Sequence, residues 1–141
     1  MITSNLKLVK EATKKAGKSI DDGARATRDE MMVTLIQLAK AEIVGRRPKG
    51  QRATSGKPPM NRTGNLRRSI KGEKYRIGFG SYGAIVGPTI IYGRSVEVAG
   101  EYAPPSWKGD ARAKGFPYMK PAFKRFKLVY ASILRKHILK G

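Results

Sequence analysis

The sequence contains no cysteine. Disulfides, thiolate metal ligands and thiol nucleophiles are therefore excluded. There is one histidine, His137, so a histidine-cluster metal site is excluded as well. Acid is scarce: ten Asp and Glu stand against thirty Lys and Arg, a formal net charge of +20. No apolar run approaches the ~18 residues that a membrane-spanning helix needs. The first eighteen residues carry lysines without a compact apolar core and cleavage site, so no signal peptide is read and synthesis in the cytoplasm is expected. What remains is 141 residues with 40% hydrophobic content, the profile of one globular domain over 1–141. A surface this basic attracts polyanions: nucleic acid, an acidic protein face or anionic lipid.

The pattern along the chain is α+β. Leu6, Val9, Ala12 and Ala16 form a short lysine-rich helical face, which Gly17 interrupts. Ser19 and Asp22 have the spacing of a capping box. A long helix is expected from about Ile20 to Val44, with Met31, Met32, Leu35, Ile36, Leu38, Ala39 and Ile43 as its core face. Asp21, Asp22, Asp29 and Glu30 fall in its first half, where the helix dipole favours anions, and Gly45 is a stop.

Residues 46–62 hold three prolines, two glycines and six cations, Arg46, Arg47, Lys49, Arg52, Lys57 and Arg62, without an acid. Such a segment cannot bury enough apolar surface to order itself, and loops of that length are usually functional. Thr63 is the expected N-cap of a short helix with Leu66 and Ile70 on one face. Tyr75, Ile77 and Phe79 then alternate with Lys74, Arg76 and Gly78, the period of a half-buried strand. Ala84–Val86 gives a second strand closed by Gly87 and Pro88, and Ile90–Val98 a third, broken near Gly93. The expectation is an antiparallel sheet of three to four strands with helices on one face, including a C-terminal helix from about Pro121 to Lys140.

Catalytic signatures fail on inspection. Gly78–Gly83 spells G-x-G-x-x-G, but a dinucleotide site needs a helix after it and a strand pattern follows. Gly17-Lys18-Ser19 lacks the first glycine of a phosphate-binding loop, since Ala12 stands there. His137 sits on an apolar helical stripe with no acid from Ala111 onward, the setting of a structural histidine. No enzyme, cofactor or metal is expected. Two acid-free zones, 46–72 and 112–141, each carry nine cations. A solvated surface mixes signs, so these zones point to a polyanionic partner.

Three motifs taken in order resemble one family. The first is Arg62-Thr63-Gly64-Asn65-Leu66-Arg67-Arg68-Ser69-Ile70, similar to "TG.LR.SI". The second is Ile85-Val86-Gly87-Pro88 with Tyr92-Gly93 and Val96-Glu97, similar to "VG…YA..VE.G". The third is Phe116-Pro117-Tyr118-Met119-Lys120-Pro121-Ala122-Phe123, similar to "P.PFL.PAF". Together they resemble the minor tail component family of tailed bacteriophages, the tail-completion or head–tail joining proteins of siphophage necks. The chain departs where members carry "FGT" and it reads Val98-Ala99-Gly100.

The resemblance implies a structural virion protein at the head–tail junction, assembled in the host cytoplasm. It implies a homo-oligomeric ring, six-fold to match a tail tube with twelve-fold as the alternative. One side would meet the portal, adaptor and stopper and the other the tail terminator and tube. Genomic DNA would pass through the lumen without sequence readout, the 46–62 loop would act as an assembly arm, and no membrane is involved. The motif residues read as scaffold. Thr63 and Gly64 start a helix, and Leu66 and Ile70 plug it onto the sheet. Gly87 and Pro88 end a strand. Phe116, Pro117, Met119, Pro121 and Phe123 start and anchor the last helix. The rival class is a stand-alone, sequence-independent nucleic-acid-binding protein, against which aromatics are few and not interleaved with the basic runs.

Overall fold

The computed structural model describes residues 2–43, 45, 57–59, 63–97 and 117–138. Helix α1 spans Ile2–Glu42, and helix α2 spans Asn65–Ser69. Strands β1, Ile70–Gly78, and β2, Ser81–Pro88, form an antiparallel hairpin. Helix α3 covers Tyr92–Glu97 and helix α4 covers Met119–Ile138. The α+β class with a long first helix and a C-terminal helix is as expected.

Helix α1 is one unbroken rod of 41 residues, about 60 Å at 1.5 Å per residue. Gly17 does not interrupt it, and Ser19 and Asp22 lie in its interior rather than at a cap. A single glycine costs only about 1 kcal/mol in a helix, which neighbouring turns absorb. The acids from Asp21 to Glu30 therefore sit far from the N-terminal end of the dipole. Asp21, Asp29 and Glu30 are instead held by cations: Arg25 and Arg28 of α1 itself, and Arg76, Lys74 and Lys136 from other elements. The helix stops at Glu42, with Gly45 just beyond it at φ 85°.

Helix α4 packs antiparallel on α1 and not on a face of the sheet, where the sequence pattern placed it. Arg125 meets Glu42 at 3.0 Å, and Lys136 meets Glu30 at 2.9 Å. The expected stripe of α4 is only partly covered: Ala122 and Ile133 are buried, while Phe123, Val129, Tyr130 and Ile138 are 38–49% exposed. Phe123 does not anchor the helix in the core. It stacks on Phe126 at 6.2 Å with Lys127 over its ring at 5.3 Å. Tyr118, fully buried, is the anchor. Pro121 falls in the first turn, where its missing N–H leaves no bond unmade. The core gathers Ala39, Ile43, Ile70, Tyr118 and Ala122, with Leu35, Ile36, Leu38, Leu66, Val86, Val96 and Met119 against it.

Two expectations about the sheet are corrected. First, it has two strands among the described residues. The expected third strand is replaced over Tyr92–Glu97 by α3. Gly93 N–H closes a turn onto Ile90 O at 3.0 Å, which swings the chain off the sheet edge and onto the core. Ile91, left on the outside of that turn, is 99% exposed. Second, the face packed on α1 is not the apolar one. Pairing sets Gly72 opposite Val86, Lys74 opposite Ala84 and Arg76 opposite Tyr82 on the inner face. Tyr75, Ile77 and Ile85 lie outside, 44%, 73% and 65% exposed. The inner cations are taken up by acids of α1: Lys74 pairs with Asp29 at 3.1 Å.

Thr63 is not the N-cap of α2. Gly64 is, in the left-handed region and without a side-chain cap bond, while Thr63 Oγ1 accepts from Asn65 N–H at 3.4 Å. Within the G-x-G-x-x-G stretch only Phe79 and Gly80 form the hairpin connection; Gly78 ends β1, and Ser81, Tyr82 and Gly83 begin β2. Of the expected assembly loop, Arg46, Arg47, Lys49, Arg52 and Arg62 lie outside the described residues, as does Phe116, and Lys57 is exposed.

Candidate functional site

The structure brings the three motifs to one place. From the first, Ser69 O accepts both the N–H of Thr89, at 3.0 Å, and its hydroxyl, at 3.2 Å. From the second, Gly93 presses on Pro88: a Cβ built there would fall 2.4 Å from the Pro88 Cβ and 3.4 Å from the Tyr118 hydroxyl. No side chain fits without moving a rigid ring. From the third, Tyr118 donates its hydroxyl to Gly93 O at 3.2 Å. Burial, followed by the nearby Glu97 carboxylate, pushes the Tyr118 phenol up, so it stays a neutral donor.

Glu97 closes this knot. Its Oε2 accepts from the N–H of Tyr118 at 2.6 Å and of Met119 at 2.9 Å, and Oε1 from Lys120 N–H at 2.9 Å. The first turn of α4 holds no acid of its own. A carboxylate from α3 satisfies its orphan N–H groups and meets the positive end of its dipole. Glu97 stands in the second motif, but sequence reasoning gave it no role, since a cap from twenty-one residues away has no local signature. Leu66, Ile70, Pro88 and Met119 surround the knot, and Gly87 lies on the hairpin's outer side with open space over it. The arrangement carries no nucleophile–base pair. It fixes the start of α4 to α3 and, through Gly93 against Pro88, to the end of the hairpin.

A second polar cluster ties the hairpin tip to α1. Asp21, 8% exposed, accepts from Gly80 N–H at 3.0 Å and from the Tyr82 hydroxyl at 2.7 Å, and Arg25 pairs with it at 2.9 Å. Gly80 has φ 66°, a conformation the tight connection requires and which aims its N–H at the carboxylate. Arg25, Arg28 and Arg76 lie 5.0–5.6 Å from the Tyr82 ring centre. The bond from Gly80, then that from Tyr82, holds the Asp21 carboxyl down at about 2, against the ordinary 3.8. The folded value lies below the unfolded one. The bond's contribution is therefore full above about pH 4 and is lost as pH falls toward 2. Urea midpoints followed from pH 7 to pH 2 should drop through that window in the wild type. Asp21→Asn should be weaker at pH 7 and flatter below pH 4; parallel curves would refute the assignment.

The His137 ring, read as structural, does meet a carboxylate: its Nε2 lies 2.5 Å from Glu30 Oε2. Lys136, then His137, holds Glu30 below the usual carboxylate range. Among the described residues no group of three or more potential ligands could hold a metal, and no helix is long and apolar enough to cross a membrane. Comparison of the chain with family models, with curated proteins and with solved structures finds no match.

Proposed function

We propose that the chain is a structural protein of a tailed-phage neck, forming a ring between the portal–adaptor–stopper stack and the tail terminator and tube. The observation that carries the reading is the convergence of the three family-like motifs on one knot, where Ser69, Pro88, Gly93, Glu97 and Tyr118 interlock. Residues spread over some fifty positions have a joint purpose as scaffold, and none as chemistry. Neither an enzyme nor a cofactor is part of this reading.

The surface supports assembly. The outer hairpin face exposes Tyr75, Ile77 and Ile85, and α4 exposes Leu128 at 83%. Apolar groups left exposed on so small a body are covered when copies pack head to tail and close by rotation. Among the described residues neither outer edge of the hairpin is paired, and a strand from a neighbouring copy would bring the sheet to three. Six copies follow from the resemblance to neck rings, with twelve as the alternative. DNA passing through a lumen would meet positive charge, Arg46, Arg47, Lys49 and Arg52 included, without sequence readout.

Light scattering of the purified chain, alone and mixed with head and tail fractions, tests the reading. A closed ring of six times 15.5 kDa is expected. Ile77→Lys with Ile85→Lys, both on the outer face, should leave the fold intact and abolish the ring. A chain that stays monomeric under every mixture would overturn the proposal.

A further inference from the structure

The first part of α1 projects beyond the rest of the described fold. The last ion pair from α4 reaches Glu30, and the hairpin tip reaches Asp21 and Gly17. Every residue from Leu6 to Ala16 is exposed. This arm has a patterned charge. Asp21 and Arg25 bond to the hairpin, and Gly17 lies under Phe79, so they mark its hairpin-facing side. Stepping back by three and four residues along that side gives Lys18, Lys14, Lys10 and Lys7. These four lysines form a row with steps of about 4.5–6 Å, from the 1.5 Å rise per residue. The ion pairs among the described residues use other cations.

The row leads into a cavity of about 710 Å³ between α1 and the hairpin tip. Lys14, Lys18 and Arg25 line it, and Phe79, 68% exposed, forms its aromatic wall. Two acids line it as well. Asp21 is consumed by Gly80, Tyr82 and Arg25, which leaves Asp22 as the single uncommitted carboxylate against those cations. A row of point charges at a regular step suits a linear polyanion, and an exposed ring among cations suits a flat base. An acidic protein surface would use the charge but has no use for an aromatic wall in a cationic cavity.

We infer that the α1 arm and this cavity form a binding site for the phosphodiester backbone of nucleic acid, with Lys7, Lys10, Lys14 and Lys18 on phosphates and Phe79 against a base where one is unpaired. Sequence reasoning placed polyanion contacts in 46–72 and 112–141, not here. The site also goes beyond the neck reading, which sets DNA in a ring's lumen but needs no residue of the arm.

The test is fluorescence anisotropy of the purified full chain with a labelled oligonucleotide, single-stranded or duplex, over a range of salt. Each phosphate contact contributes a slope of about 0.9 in log affinity against log salt for duplex and about 0.7 for a single strand. The variant Lys7→Gln, Lys10→Gln, Lys14→Gln, Lys18→Gln should lose roughly 3 units of slope and roughly a hundredfold in affinity at moderate salt. All four side chains are exposed, so circular dichroism should be unchanged. Phe79→Ala separates the two ligands: a loss of about tenfold confined to the single strand assigns the cavity to an unpaired base, and no loss on either assigns the site to duplex backbone. An unchanged salt slope in the lysine variant overturns the inference. So does equal competition by polyglutamate and DNA, which would assign the row to an acidic protein. Neither result bears on ring formation, which is read separately by scattering.

Discussion

Tyr118→Ala is expected to remove about 3–5 kcal/mol of folding stability, the range for truncating a large buried aromatic side chain. Tyr118 has no exposed surface and touches the two elements that the fold must join. Its ring fills the space between Ala39, Ile43, Ile70 and Ala122, and its hydroxyl satisfies Gly93 O. A domain of this kind has about 5–15 kcal/mol in total. The described core is small, so one such loss takes a large share. Tyr118→Phe keeps the ring and removes only the bond, and should cost about 1 kcal/mol. Urea unfolding of the three proteins measures both. A loss under about 1 kcal/mol for the alanine variant would show that α4 is held chiefly by its contacts with α1.

Glu97→Ala should cost about 2–3 kcal/mol, more than an ordinary cap, because one carboxylate serves three N–H groups. Removing it leaves the start of α4 with no acceptor, since that turn has no acid. Glu97→Gln retains an acceptor but not the charge that meets the dipole, and should cost roughly half as much. Glu97 and Tyr118 act on the same junction. The double variant Glu97→Ala, Tyr118→Phe should therefore depart from additivity by about 0.5 kcal/mol or more. Additive losses, or a cost for Glu97→Ala below about 0.5 kcal/mol, would refute the shared knot.

Much of the architecture was legible in local pattern. The row Leu35, Ile36, Leu38, Ala39 and Ile43 repeats at helical spacing and is the face that packs. The hairpin was readable from glycines at its connection, and the α4 start from Pro121. These features depend on residues a few positions apart, so the chain carries them wherever it is placed. The lysine row of the arm is equally periodic. Its function is masked in the sequence by Gly17, which has the look of a helix break, and by the larger single-sign charge of the acid-free zones.

The facing of the hairpin, the role of Glu97 and the meaning of the acids on α1 depend on contacts between distant segments. Alternation in Tyr75, Ile77 and Phe79 says that one face of a strand is apolar, not which face meets the helix. Here Asp21 and Asp29 on α1 draw Arg76 and Lys74 inward, at 3.8 Å and 3.1 Å, and Tyr75 and Ile77 are turned out, while past the irregularity after Arg76 the Phe79 ring lies over Gly17 of α1. Likewise Ile90–Val98 has strand-like residues. Yet the close contact of Gly93 with Pro88 and Tyr118, and the N–H groups of α4 waiting for Glu97, favour a helix over Tyr92–Glu97. Elements held together by near neighbours are set by local pattern alone. Pairings across twenty to a hundred residues were decided by the fold, because their energies exist only once distant segments are brought into contact.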